Sequence, residues 1–219
     1  MRILFLFLVL TFLFSVAVSA QVQVSKEPRH HNVFENEWVR ILDVHLQPGD
    51  TSLYHKHSTP SIFLILSNTR TGSQTVIEPR SRNFNKEAIW FEGFYDTPRV
   101  HRVWNEDKVP FHTIDIELPH KPTVKLPPPI TNPGVTLLFD EKPVRGYKVK
   151  VGPGYELNLP AHSSPLVIVG LSGWPSIARV NNKTFEEKGS WIFVPAGKAV
   201  RFENQKSTTE VDFALFELR

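Results

Sequence analysis

A stretch of 35 residues recurs in this chain without a gap. Residues 34–68 align with residues 139–173 at a constant offset of 105, with 11 identities. Phe34 meets Phe139, Val39-Arg40 meets Val144-Arg145, and Val44 meets Val149. Pro48-Gly49 meets Pro153-Gly154, His57-Ser58 meets His162-Ser163, and Leu66-Ser67 meets Leu171-Ser172. The segment Phe111 to Leu118 has its own counterpart, Val211 to Leu218, at an offset of 100. A repeat of this length requires two like units, each of about 100 residues.

The units read as β structure. No window carries an apolar period of 3.6 residues over three turns, whereas short alternating runs abound. Leu42, Val44 and Leu46 share one strand face, and Ile114, Ile116 and Leu118 share another. Turn residues interrupt the runs at Pro48-Gly49-Asp50, Thr71-Gly72-Ser73, Pro153-Gly154 and Pro195-Ala196-Gly197. This is the pattern of an all-β sandwich or barrel. Between the units, Pro119 to Pro133 holds six prolines, an extended and semi-rigid connection that can also wrap the outside of a barrel. The boundary is expected near residue 130, giving an amino-terminal domain over 21–130 and a carboxy-terminal domain over 131–219.

Residues 1–20 have the three-part pattern of a secretory signal peptide. Arg2 gives the charged start, Ile3 to Phe14 is apolar except Thr11, and Val18-Ser19-Ala20 offers small residues before a cut. The expectation is cleavage after Ala20, no membrane span thereafter, and a periplasmic or secreted protein. The chain has no cysteine. That excludes disulfides, Cys-ligated zinc, iron–sulfur clusters and thiolate nucleophiles, so stability must come from packing. The net charge of +3, with no basic run, argues against nucleic acid. Nine histidines leave imidazole as the main soft ligand.

Two of these form His55-Lys56-His57. Residues two apart on a strand point to one face, with Cβ atoms about 7 Å apart, so both imidazoles can reach one ion. His101 is the candidate third ligand from another strand.

At this point the sequence resembles the cupin superfamily. Its first motif runs Gly, five residues, His-x-His, three or four residues, Glu, six residues, Gly. Here Gly49 is followed after five residues by His55-Lys56-His57 and after three more by Ser61, where Glu is expected; Asn68 stands where the closing Gly would be. The second motif runs Gly, five residues, Pro-x-Gly, two residues, His, three residues, Asn. The first half keeps Pro98, His101 and Asn105. The second half keeps Gly189, Pro195-Ala196-Gly197 and Asn204, but Val200 replaces the His. It also has Pro160 in place of the first His of the first motif and keeps only His162.

The resemblance implies two tandem cupin-type jelly-roll barrels over nearly all of residues 33–219, with His55, His57 and His101 binding one divalent transition metal (Fe, Mn, Ni, Cu or Zn). The second barrel is then degenerate. Three-His cupins often bind iron and activate oxygen on a chelating substrate. Loss of the Glu leaves the site more positive by one charge, which favours an anionic ligand. The leading expectation is therefore a dioxygenase-like enzyme on a small oxygen-rich substrate. A non-catalytic sugar or small-molecule binder and a cupin isomerase are the alternatives, and a homo-oligomer stays open.

Ser61 and Phe63 share the parity of His57 and are expected to line the pocket. His112 shares a strand face with Ile114 and Ile116, which aims it into the first barrel, as a core residue or as a pocket residue that is a partner of the metal ligands or a substrate-side acid/base. Arg40 and Arg145, at matching repeat positions, are expected to make structural ion pairs. His30-His31 is expected to be solvated. Ligand imidazoles must be deprotonated, so metal affinity is expected to fall below about pH 6.5.

Overall fold

A computed structural model describes residues 21–173 and 176–219; the expected leader, residues 1–20, lies outside the described residues. Alternation and turn chemistry produce strands, as the sequence pattern implies. The first half contains β1 (Val22–Gln23), β2 (His30–Glu35), β3 (Arg40–Leu46), β4 (His55–His57), β5 (Ser61–Ile65), β6 (Thr69–Thr75), β7 (Ser81–Asn85), β8 (Ala88–Glu92), β9 (Arg99–Asn105) and β10 (Phe111–Glu117). The second contains β11 (Val135–Glu141), β12 (Val144–Val151), β13 (Glu156–Leu159), β14 (Leu166–Gly170), β15 (Ala178–Val180), β16 (Lys183–Phe185), β17 (Trp191–Val194), β18 (Val200–Glu203) and β19 (Val211–Leu218).

Each half is a jelly roll of two sheets. The orders are β2-β3-β10-β5-β8 and β1-β4-β9-β6-β7 in the first, and β11-β12-β19-β14-β17 and β13-β18-β15-β16 in the second. Strand for strand these orders match, except that β1 is an addition, paired in parallel with β4. Register repeats too. Glu117 lies between Arg40 and Ser61, and Glu217 lies between Arg145 and Leu166. The turns before β4 and β13 share one device. Gly49 (φ 84°) and Gly154 (φ 78°) take the left-handed conformation open to glycine. Their N–H groups donate to the carbonyls of Asn105 and Asn204 at 3.2 and 2.8 Å.

The central strands of the first large sheet, β3, β10 and β5, are largely buried on both faces, for different reasons. One face carries Ile41, Ile62, Leu64, Ile114 and Ile116, which pack with Val144, Val167, Val169, Ala214 and Phe216 of the second half in one continuous apolar cluster. This layer joins the halves. The other face carries Leu42, Asp115 and Phe63 in register and looks into the first barrel. The second barrel is filled by its own cluster, including Tyr147, Ile168, Phe185, Phe202 and Phe213. The first barrel is not filled in this way, and its interior holds a cavity of about 400 Å³.

Candidate metal centre

The cavity owes its cluster of imidazoles to strands β4 and β9. Their antiparallel pairing sets His55 directly opposite His101, and His57 follows two residues along on the same face. One nitrogen from each ring lies within 4.8 Å of the other two. The Nε2 atoms of His57 and His101 are 3.1 Å apart. Two nitrogens bound at right angles to one ion, each about 2.1 Å from it, would be about 3.0 Å apart. The three residues fit a single divalent transition metal.

The outer nitrogens are held so that the inner ones are free. His55 Nδ1 lies 2.9 Å from the Leu53 carbonyl. A carbonyl only accepts, so Nδ1 carries the proton and Nε2 keeps its lone pair. His101 Nδ1 lies 3.2 Å from Ser73 Oγ. His57 Nδ1 lies 3.4 Å from Asp115 Oδ2. That separation is too long for a good hydrogen bond, and Nδ1 and both Asp115 oxygens are buried without a partner. Burial holds His55 and His57 at about 3 and lowers His101 as well, so all three rings are neutral, the form a metal takes. Burial also raises the Asp115 carboxyl to about 7.

The remaining cavity wall is mixed: Phe63, Trp90 and Phe111 are among its apolar residues, and Thr71, Ser73, Asn83 and Thr113 among its polar ones. Phe63 stacks on Trp90 and meets the His57 ring edge-on. Arg99, also at the wall, has its charge paired with Glu92. The segment ahead of β2 closes one side. Glu27 is 1% exposed and accepts from the N–H groups of Arg29 and Leu53 at 2.7 and 3.1 Å. Its other partner is His30 Nδ1 at 2.7 Å. The His30 ring lies 4.6 Å from that of His55 and lines the cavity. His30 is therefore not solvated as expected, whereas His31 is exposed.

The sequence matches no protein-family model and no curated protein. Among solved structures it is similar to salicylate 1,2-dioxygenase from Pseudaminobacter salicylatoxidans (12% identity, TM-score 0.57, 83% of this chain and 71% of that one). It is similar to YhhW from Escherichia coli (12%, TM-score 0.57, 88% and 89%). A cupin 2 conserved barrel domain protein from Leptotrichia buccalis shares the fold across 92% of this chain and all of its own (11%, TM-score 0.53, 100% of that chain). The chain has the cupin fold.

Two residues expected at the cavity, Ser61 and His112, lie elsewhere. Ser61 is fully buried, donates to the Thr59 carbonyl at 3.1 Å and does not line the cavity. His112 does not enter the first barrel. It lies on the opposite face of β10, with Nε2 2.9 Å from Asp43 Oδ1 and its ring stacked on His45 at 4.2 Å. The apolar side of β10 faces the other cupin half, and the barrel side carries Thr113, Asp115 and Glu117. Phe63 does line the cavity. The motif residue Asn105 is structural, its Nδ2 donating to the carbonyls of Leu46 and Val109 at 2.9 and 2.8 Å. Asn204 does the same with Val151 and Thr209.

In the second cupin half, Val200 is part of the packed core and no three-donor group forms among the described residues. His162 instead places Nδ1 3.2 Å from Glu217 Oε1. Glu217 also accepts from Tyr147 at 2.7 Å and from Arg145 at 3.3 Å. Arg40 pairs with Glu117 at 2.6 Å, so the matched arginines make matched ion pairs, as expected. The proline-rich connector runs against this barrel. Arg145 donates to the Pro127 carbonyl at 2.8 Å, and the Ile130 N–H donates to the Tyr147 hydroxyl at 3.2 Å.

Proposed function

We propose that the first barrel is a metal-dependent, dioxygenase-type active site for a small oxygen-bearing molecule, and that the second barrel is structural. The observation that carries this reading is the convergence of three neutral, buried imidazoles on one wall of a cavity of about 400 Å³. A divalent ion held by His55, His57 and His101 would supply Lewis acidity and a common point of attachment for substrate and oxidant. The protein's own residues do the rest. The Leu53 carbonyl and Ser73 orient two of the rings, and Asp115 stands ready to orient the third. Phe63, Trp90 and Phe111 exclude water and give a flat ring a surface to lie against. With no carboxylate at position 61, the donor set carries no negative charge, which suits an anionic chelating substrate.

Solved relatives in fold support the reading by analogy. Salicylate 1,2-dioxygenase has been obtained as an adduct with gentisate (14% identity, TM-score 0.57). The charged start, apolar run and Val18-Ser19-Ala20 site support export, with amino-terminal sequencing expected to begin at Gln21. The test of function is oxygen uptake by the iron(II)-loaded protein offered salicylate, gentisate and other ring hydroxy acids. Uptake is expected, and it should vanish in His57→Ala. Saturable ligand binding with no uptake would replace the enzyme by a binding protein.

A further inference from the structure

The cluster that holds His112 outside the first barrel is itself a set of metal donors. Asp43 and His45 are two apart on β3 and share a face, and His112 on β10 is directly opposite His45. One carboxylate oxygen, Asp43 Oδ1, is 2.9 Å from His112 Nε2 and 3.1 Å from His45 Nε2. The two rings are stacked with planes 19° apart. All three donor atoms fall within 4.8 Å of one another. These separations again match those expected of donors about 2.1 Å from one ion. One strand further, His31 stands opposite Asp43, and so on the same face.

We propose that Asp43, His45 and His112 form a second site for a divalent transition metal, on the outside of the first barrel and independent of the cavity. Two imidazoles and one carboxylate are a donor set suited to Zn(II), Ni(II), Cu(II) and Fe(II). The donors are about one-fifth to two-fifths exposed, so an ion can enter without opening the fold. The place is notable because His112 touches the second half. A Cβ built on Gly189 would lie 2.8 Å from His112 Cε1. An ion here would fix a side chain on which the second half rests, and it raises the expected stoichiometry from one ion per chain to two.

Zinc titration of the full chain, followed by calorimetry and metal analysis, tests this. The wild type should bind two Zn(II). His57→Ala should bind one, and His57→Ala with His45→Ala should bind none, each with unchanged circular dichroism. His45→Ala alone should bind one, which covers the case in which His57→Ala fails to fold. Asp43→Asn keeps a hydrogen-bond acceptor but loses the charge, and should weaken the second site by more than about tenfold. Binding of one ion by the wild type would overturn the proposal. So would a second ion whose affinity is the same in His45→Ala and Asp43→Asn.

Discussion

His57 turns its Nδ1 towards the buried carboxyl of Asp115 at 3.4 Å, and neither group has another hydrogen-bond partner. Two unmet polar groups this close inside a protein are costly unless something draws them together. Binding through Nε2 makes the Nδ1–H a stronger donor and favours the carboxylate form of Asp115. Asp115→Asn should therefore lower metal affinity about 10- to 100-fold, with circular dichroism unchanged. Unaltered affinity, measured by competition with a chelator, would remove Asp115 from the site.

Replacement of the repeat-matched histidines should give opposite results. His57→Ala should lose the ion of the cavity. His162→Ala should leave metal content unchanged, because that ring is tied to Glu217 and no three-donor group includes it among the described residues. Metal analysis of both variants decides it. Loss of metal in His162→Ala would shift the site to the wrong barrel.

The metal-free protein should lose stability as pH falls from 6.5. His55, His57 and His101 are all depressed from 6.5, the first two to about 3. On acidification the unfolded chain takes up these protons before the folded one does, so the contribution is complete above 6.5 and lost on the way down. Asp115, raised from 3.8 to about 7, and Glu117, also raised by burial, run the other way, but they are two groups against three, and His45, raised from 6.5 by Asp43, is protonated in both states over most of the range below 6.5. Thermal midpoints between pH 4.5 and 6.5 should rise with pH, and the slope should shrink in His101→Gln. The same burial corrects the expectation that metal is lost below about pH 6.5: protons should compete for the folded site only well below that value.

Glu27 should matter to the amino-terminal segment at low pH. Burial pushes its carboxyl up, but hydrogen bonds from His30 and from the Leu53 and Arg29 N–H groups outweigh this and hold it at about 2. Its stabilisation, about 3 kcal/mol, is present above 4.5 and lost as pH falls towards 2. Glu27→Gln should be destabilised at pH 7 and should approach the wild type near pH 2. Equal denaturant midpoints at pH 7 would count against the pairing.

Ile116 is fully buried in the layer shared by the two halves. Ile116→Ala should cost about 2–5 kcal/mol and lower the unfolding of both halves together. Separate transitions, with only the first shifted, would show that the layer does not couple them.

Much of this was legible in the sequence, for reasons visible in particular residues. The offsets of 105 and 100 anticipate a shared strand order because they preserve the parity of Arg40 with Arg145 and of Glu117 with Glu217. His-x-His spacing on a strand is enough to aim two rings one way, and the structure brings His101 beside them. Parity misplaces His112 because the apolar face of β10 is not the barrel interior. In a strand buried on both sides, the apolar side can face another sheet while the cavity takes the polar one. Asp115 is hidden from a parity reading for the same reason, although its place between Ile114 and Ile116 marks it as a carboxylate on a buried strand. His30 depends on a contact with Glu27 and a fold-back that no periodicity encodes.

The parallel strand β1 has a practical side. Val22 pairs with His55 and Gln23 with Lys56, so the beginning of the described chain is a direct neighbour of the strand that carries two of the three imidazoles. Neighbouring strands are about 4.8 Å apart. An affinity tag joined just ahead of Gln21 would be tethered to the neighbour of β4, and a polyhistidine tag there would compete for the very ions that the site takes. Expression vectors for this protein should carry their handle after Arg219, where the last strand ends in the opposite half.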